Sequence, residues 1–150
     1  MKICICCSDG GHLIEIFQIK KAYISYPHFY ILSKKSCKMF NIKDNKVYFI
    51  KDPGRNPLLY INLFFKSFKI ILKEKPKIII STGAGFAIPS IILGKLIFRS
   101  KIIFIETFTR INEPSLSGKI AYYFSDLFFV QWKCLLKKYG KKAIYRGAVF

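Results

Sequence analysis

Short apolar runs alternate along the chain with longer stretches of helix-like apolar spacing. The apolar runs predict seven strands, at Lys2–Cys7, His28–Ser33, Lys46–Ile50, Lys77–Ser81, Lys101–Glu106, Leu127–Gln131 and Ala143–Arg146. The stretches between them predict helices at Gly11–Tyr23, Lys35–Phe40, Pro57–Glu74 and Phe86–Phe98, one that ends near Phe124 and one that runs through Lys138. Continuous apolar strands separated by helices are typical of a parallel sheet covered on both faces. The pattern therefore predicts one α/β domain over residues 1–150, with a Rossmann-like doubly wound parallel sheet.

Two glycine turns follow the first and fourth predicted strands. In the common strand order 3-2-1-4-5-6 these strands are neighbours, and ligands bind beside their carboxyl ends. Glycine lets the backbone turn tightly there, and the free N–H groups of a helix amino end suit a phosphate. Either turn alone is also compatible with a plain strand–helix connection. Their convergence favours a phosphate-bearing ligand, with candidate contacts at Ser8, Gly10, Gly11, Thr82, Gly83 and Gly85.

The first turn places a histidine at the start of a helix. It lacks the G-x-G-x-x-G spacing of dinucleotide-binding folds, and no P-loop is present, which disfavours NAD and ATP. The imidazole of His12 can donate to a phosphate or take a proton from a sugar hydroxyl. The alternative is a histidine that only bonds its own turn. We predict His12 as the candidate catalytic residue.

Composition narrows the choice of partner and location. The 26 basic residues exceed the 8 acidic ones and give a formal charge of +18, which predicts an anionic partner such as nucleic acid, an anionic membrane or a phosphorylated substrate. No apolar run reaches the ~18 residues of a spanning helix, and no signal peptide is recognisable, so we expect a cytoplasmic protein. Cys4, Cys6 and Cys7 fit small core residues of the first strand, and we predict neither metal nor cofactor.

The predicted helix Pro57–Glu74 carries a narrow polar stripe on an otherwise apolar surface. Its lysines recur at intervals of three and four residues between large apolar side chains. Such a helix fits a membrane interface near anionic headgroups. The membrane-facing residues would be Phe64, Phe65, Lys66, Phe68, Lys69 and Lys73. The alternative is a crossover helix that packs on the sheet and exposes only the stripe.

Five motifs together resemble one known family. They are SDGGHLIE, DPGRNP, STGAGFAIPSIILGK, IFIETFTRINEPSLSGKI and FFVQW, in order from Ser8 to Trp132. The chain resembles the membrane-associated subunit of the two-part UDP-N-acetylglucosamine transferase that extends dolichol-linked oligosaccharides. It looks closer still to the bacterial relatives in capsule and exopolysaccharide synthesis.

The resemblance implies a GT-B glycosyltransferase split into two chains. This chain would be its N-terminal, acceptor-side half, inactive or nearly so without a separate donor-binding subunit. The implied reaction moves a sugar of galactose or N-acetylglucosamine type from a UDP-sugar to a polyprenyl-diphosphate-linked sugar. The implied location is peripheral, on the inner face of the cell membrane.

Three further residues fit that chemistry. Arg110 can bind a phosphate through two hydrogen bonds, while Glu106 can orient it or accept a sugar hydroxyl. The alternative is a local Glu–Arg pair that only shapes the loop. Ser115 is a further candidate contact, although it equally fits a helix cap. One rival function is a basic nucleic-acid-binding α/β protein, but the aromatic residues lie mainly in apolar runs and no stacking motif is present, so we expect no nucleic-acid partner. The other rival is a self-sufficient nucleotide-binding enzyme.

Overall fold

A single parallel sheet of seven strands organises the parts of the chain that the computed structural model describes, residues 1–33, 46–54 and 56–150. The strands are β1 (Ile3–Cys7), β2 (His28–Ser33), β3 (Lys46–Ile50), β4 (Ile78–Ser81), β5 (Lys101–Ile105), β6 (Leu127–Val130) and β7 (Ala143–Tyr145). Their order is β3-β2-β1-β4-β5-β6-β7, and each neighbouring pair is parallel. The predicted doubly wound α/β fold is confirmed, with β1 beside β4.

Five α-helices connect these strands within the described ranges. They are α1 (Gly11–Gln18), α2 (Pro57–Glu74), α3 (Ile88–Leu96), α4 (Leu116–Phe124) and α5 (Cys134–Tyr139). The predicted helix Lys35–Phe40 and Arg55 of the DPGRNP motif lie outside the described residues.

Two helices are shorter than predicted, because a 3₁₀ turn replaces one end of each. One such turn, Lys20–Ala22, follows α1, and the other, Gly85–Ala87, precedes α3. The first brings Tyr23 into the core, where its hydroxyl donates to the Ile16 carbonyl at 3.3 Å. If α1 had continued regularly to Tyr23, the chain would lack the tighter 3₁₀ turn that directs Tyr23 into the core.

The core consists of one apolar layer on each face of the sheet. Cys4 and Cys6 of β1 join the layer that α2, α3, α4 and α5 cover, whereas Cys7 joins the layer beneath α1. All three thiols are fully buried. This division follows from the alternation of side chains along a strand.

Helix α2 packs on the sheet and also exposes apolar side chains. Leu63, Ser67 and Ile71 form its buried face. Asn56 caps its first turn by accepting a hydrogen bond from the Leu58 N–H at 3.0 Å. Among the described helices, α2 included, none combines the length and the apolar content needed to cross a bilayer.

Candidate functional site

The turns that follow β1 and β4 are joined by two side-chain hydrogen bonds. His12 Nδ1 lies 2.9 Å from the Thr82 carbonyl oxygen, and the Thr82 hydroxyl donates to the His12 carbonyl at 2.7 Å. These residues are 70 positions apart in sequence. The histidine therefore bonds the neighbouring turn and not its own, so the two glycine turns form one crevice at the carboxyl edge of the sheet.

The Thr82 carbonyl also decides which nitrogen of His12 carries the proton. A carbonyl oxygen can only accept, so Nδ1 must be the N–H donor in this contact. Neutral imidazole then keeps its lone pair on Nε2. Because no hydrogen bond occupies Nε2 in the described part of the chain, it is available to accept a proton from a ligand hydroxyl.

The turn after β4 has a backbone shape that suits an anion. Gly83 and Ala84 both have positive φ, at 120° and 67°. The Gly83 N–H donates to the Ser81 hydroxyl at 3.1 Å, while the N–H groups of Ala84 and Gly85 have no acceptor among the described residues. Consecutive free N–H groups in such a turn form a concave anion site.

Gly83 is also sterically required. A Cβ at this position would lie 3.0 Å from His12 Cε1, closer than ordinary packing allows. Its φ of 120° disfavours any side chain. Any other residue would therefore strain the turn and displace the imidazole by a few tenths of an ångström.

The turn after β1 leaves open space at the same edge. Gly10 has a φ of 73°, and its carbonyl accepts from the Leu13 N–H at 3.1 Å. The Ser8 hydroxyl donates to the Asp9 carbonyl at 3.4 Å. A Cβ on Gly10 or Gly11 would meet no atom within 4 Å. A ligand can therefore approach this backbone directly.

Glu106 and Ser115 form a buried cluster beneath the loop that leads into α4. The fully enclosed carboxylate of Glu106 accepts from the Thr107 N–H at 3.0 Å, the Ser115 hydroxyl at 2.9 Å and the Tyr139 hydroxyl. Ser115 in turn caps α4, since its hydroxyl accepts from the Gly118 N–H at 2.8 Å. In this geometry both residues hold the loop, and their direct contact with an acceptor stays a prediction.

Arg110 lies on that loop and is exposed. Its guanidinium forms no ion pair within the described ranges, with Glu106 or with any other carboxylate. It lines a cavity of about 670 Å³ together with Gly85, Leu116 and Ile120. The structure therefore joins Arg110 to the turn after β4 and separates it from Glu106.

Glu15 is a buried carboxylate that the sequence patterns did not single out. It accepts from the Thr107 hydroxyl at 2.8 Å, the Phe108 N–H at 3.0 Å and Gln131 Nε2 at 3.4 Å. Burial raises the pKa of Glu15, and the bonds from Thr107 and Phe108 partly offset that rise. Its position three residues after His12, on the same helix face, is the signal that was available. Glu15 links α1 to the start of the Arg110 loop.

The predicted membrane-facing residues of α2 divide into two groups. Phe64, Phe65 and the three lysines are exposed, whereas Phe68 is half-buried against Phe98, with 6.3 Å between ring centroids. The outer face also exposes Leu58 and Ile61, by 73% and 56%. The helix therefore packs on the sheet, as the alternative expected, but it exposes apolar side chains beside its polar stripe, and its contact with a membrane stays a prediction.

Solved structures of other proteins share this fold. MurG from Acinetobacter baumannii superposes with a TM-score of 0.79 and 10% identity, over 99% of this chain and 46% of that protein. The UDP-GlcNAc 2-epimerase of Methanocaldococcus jannaschii, solved with UDP-GlcNAc and UDP, superposes with a TM-score of 0.76 and 15% identity, over 99% of this chain and 47% of that protein. The chain thus corresponds to about half of the length of each of these two proteins.

Sequence relatives identify the family. The human UDP-N-acetylglucosamine transferase subunit ALG14 is 36% identical over 88 residues, 55% of this chain and 40% of the human protein. The Schizosaccharomyces pombe subunit is 41% identical over 78 residues, 49% of this chain and 37% of its own length. The family described as "Oligosaccharide biosynthesis protein Alg14 like" matches residues 55–149. The chain therefore belongs to the Alg14-like family of oligosaccharide biosynthesis proteins.

Proposed function

We propose that this chain is the acceptor-binding subunit of a two-component glycosyltransferase. Its relatives are named as subunits of a UDP-N-acetylglucosamine transferase, and a subunit implies a second chain. The chain also corresponds to about half of MurG. We infer that the UDP-sugar binds to that second chain.

The observation that carries the proposal is the pair of hydrogen bonds between His12 and Thr82. They hold the imidazole at the crevice with Nε2 available as a base. In the transfer step the acceptor hydroxyl attacks the anomeric carbon of the donor sugar, the bond from that carbon to UDP breaks, and Nε2 takes the hydroxyl proton. A well-placed base of this kind contributes about 10²–10⁴-fold to the rate.

The acceptor diphosphate would bind at the same edge of the sheet. The N–H groups of Ala84 and Gly85, which have no acceptor among the described residues, would face the diphosphate, and the open backbone at Gly10 and Gly11 would add donors. The guanidinium of Arg110, which has no ion-pair partner within the described ranges, would supply positive charge. Together they match a polyprenyl-diphosphate-linked sugar.

The relatives' names favour N-acetylglucosamine as the transferred sugar, and galactose is the alternative. We place the reaction in capsule or exopolysaccharide synthesis, on the inner face of the cell membrane. The apolar and lysine-bearing outer face of α2 would lie against that membrane. A lipid-linked acceptor requires such proximity.

The proposal is tested with the chain and its co-purifying partner, a UDP-sugar and a polyprenyl-diphosphate-linked sugar. We expect His12→Ala to lower kcat at least about 100-fold, with a loss of stability of about 1 kcal/mol because its bond to the Thr82 carbonyl is removed. We expect Arg110→Ala to raise the acceptor KM with an unchanged melting temperature. Lys119→Ala, on the exposed face of α4, is the matched control. Wild-type rates in both site variants would remove the site assignment.

A further inference from the structure

The cavity beside Arg110 opens between the amino ends of α2, α3 and α4. Its volume of about 670 Å³ is that of a small-ligand pocket, for which about 300–1,000 Å³ is usual. Most of its wall is made by Tyr60, Ile88, Leu116 and Ile120. Arg110 is the charged residue among the described residues that line it. The cavity thus combines an apolar wall with one cation.

This combination selects a ligand with an apolar body and an anionic head. A sugar needs several polar partners, but the side-chain hydroxyls here come from Ser117 and Tyr60, and the latter already points to the Gly54 carbonyl at 3.5 Å. Leu116 is 77% exposed at the cavity. An alkyl chain would cover this side chain without leaving a polar group unpaired.

The cavity also lies in the right place relative to the proposed diphosphate site. Gly85 belongs to both, since its N–H has no acceptor among the described residues and the residue also lines the cavity, where a Cβ would lie 2.5 Å from the Tyr60 hydroxyl. His12 packs against Gly83, at the start of that turn, and is not among the described residues that line the cavity. The order of His12, free N–H groups with Arg110, and apolar cavity repeats the order of sugar, diphosphate and lipid in the acceptor.

The exposed outer face of α2 begins within one helical turn of the cavity residue Tyr60, on the opposite side of the helix. Apolar and polar side chains share this outer face, namely Leu58, Ile61, Asn62, Phe65, Lys66 and Lys69. A chain that leaves the cavity around the amino end of α2 would reach this face, which is proposed to contact the membrane.

We propose that this cavity binds the isoprene units nearest the diphosphate of the lipid-linked acceptor, with Arg110 on the diphosphate. The inference rests on the proposed function, because it takes the acceptor to be a polyprenyl diphosphate. The chain would then recognise the lipid of the acceptor as well as its sugar. An acceptor without isoprene units then binds more weakly even when its sugar and diphosphate are correct.

Geranyl diphosphate and inorganic diphosphate test this inference directly by calorimetric titration, without any transfer reaction. We expect the wild-type chain to bind geranyl diphosphate at least about tenfold more tightly, because two isoprene units leave water. Leu116→Ala should weaken the binding of geranyl diphosphate about fivefold. Ile120→Trp should fill the cavity and abolish the preference for geranyl diphosphate over inorganic diphosphate. Leu96→Ala, an exposed leucine at the far end of α3, should change affinity less than about twofold.

The outcomes separate this inference from the proposed function. Equal affinity for the two diphosphates, or a preference unchanged in both cavity variants, overturns the inference even if the reconstituted pair transfers sugar. A geranyl preference that Leu116→Ala reduces and Ile120→Trp abolishes supports the cavity even if the pair transfers nothing. Loss of geranyl diphosphate binding on addition of the partner subunit would assign the cavity to the subunit interface and also overturn the inference.

Discussion

Ser115 caps α4 and also donates to a buried carboxylate, and its removal should cost more than the loss of an ordinary cap. Its hydroxyl accepts from the Gly118 N–H at 2.8 Å and lies 2.9 Å and 3.0 Å from the two oxygens of Glu106. Asn56 provides a matched comparison, since it caps α2 at the surface with one bond of 3.0 Å to the Leu58 N–H. Ser115→Ala and Asn56→Ala each remove one cap, but only the first changes the surroundings of Glu106.

The expected magnitudes follow from these contacts. Loss of a helix cap costs about 1 kcal/mol. A buried hydrogen bond to a charged group is worth about 1.5–3 kcal/mol more. Ser115→Ala should therefore lower the free energy of unfolding by about 2.5–4 kcal/mol and Asn56→Ala by about 1 kcal/mol. Glu106 keeps the N–H groups of Thr107 and Ser115, which favours the lower part of the first range.

Urea denaturation of both variants measures this difference, and calorimetry should show the Ser115→Ala melting temperature about 3–12 °C below that of Asn56→Ala. A double-mutant cycle with Glu106→Gln should give a coupling energy above about 1 kcal/mol. Equal destabilisation by the two cap variants, with no coupling to Glu106, would refute the assignment of Ser115 to this buried cluster.

Three further perturbations probe other parts of the structure. Gly83→Ala should destabilise the chain by about 1–3 kcal/mol and lower transfer, because its Cβ would displace His12; an unchanged urea midpoint contradicts this. Burial raises the pKa of Glu74, but bonds from Lys46, Tyr48 and Lys2 outweigh it and hold the pKa at about 2. The stabilisation that Glu74 provides is therefore complete above the unfolded pKa of about 4.3 and is lost as the pH falls towards 2. The difference in unfolding free energy between wild type and Glu74→Gln should shrink over that interval, and a difference that does not change with pH contradicts this assignment. Replacing Lys66, Lys69 and Lys73 of α2 together by glutamate should weaken binding to anionic vesicles at least about tenfold in a sedimentation assay. Binding to neutral vesicles should not change.

Local patterns sufficed to predict the sheet and the crevice. Buried strands were recognisable as continuous apolar runs, and the glycine turns marked the ends of β1 and β4. The common strand order then placed the two turns side by side, as the pairing of Ile3 with Ile78 confirms. These features depend on short segments and on topology rules that hold across parallel sheets.

The contacts of the buried carboxylates were beyond sequence reasoning. Glu106 and Arg110 are close in sequence and have opposite charge, yet Glu106 bonds Tyr139, which lies 33 positions away. Glu15 is joined to Gln131 across 116 positions. Hydrogen bonds over such separations depend on side-chain placement in the finished fold, which no local spacing encodes. The cavity could not be predicted either, because it depends on the relative positions of α2, α3 and α4 in the fold.

Sugar transfer by the separate and combined subunits tests the central claim most directly. Labelled UDP-N-acetylglucosamine and a polyprenyl-diphosphate-linked sugar are incubated with this chain alone, with its co-purifying partner alone and with both. The account predicts lipid-linked product only from the mixture, and loss of that product when the chain carries His12→Ala. Transfer by this chain alone at the rate of the mixture would contradict its role as one half of a divided enzyme.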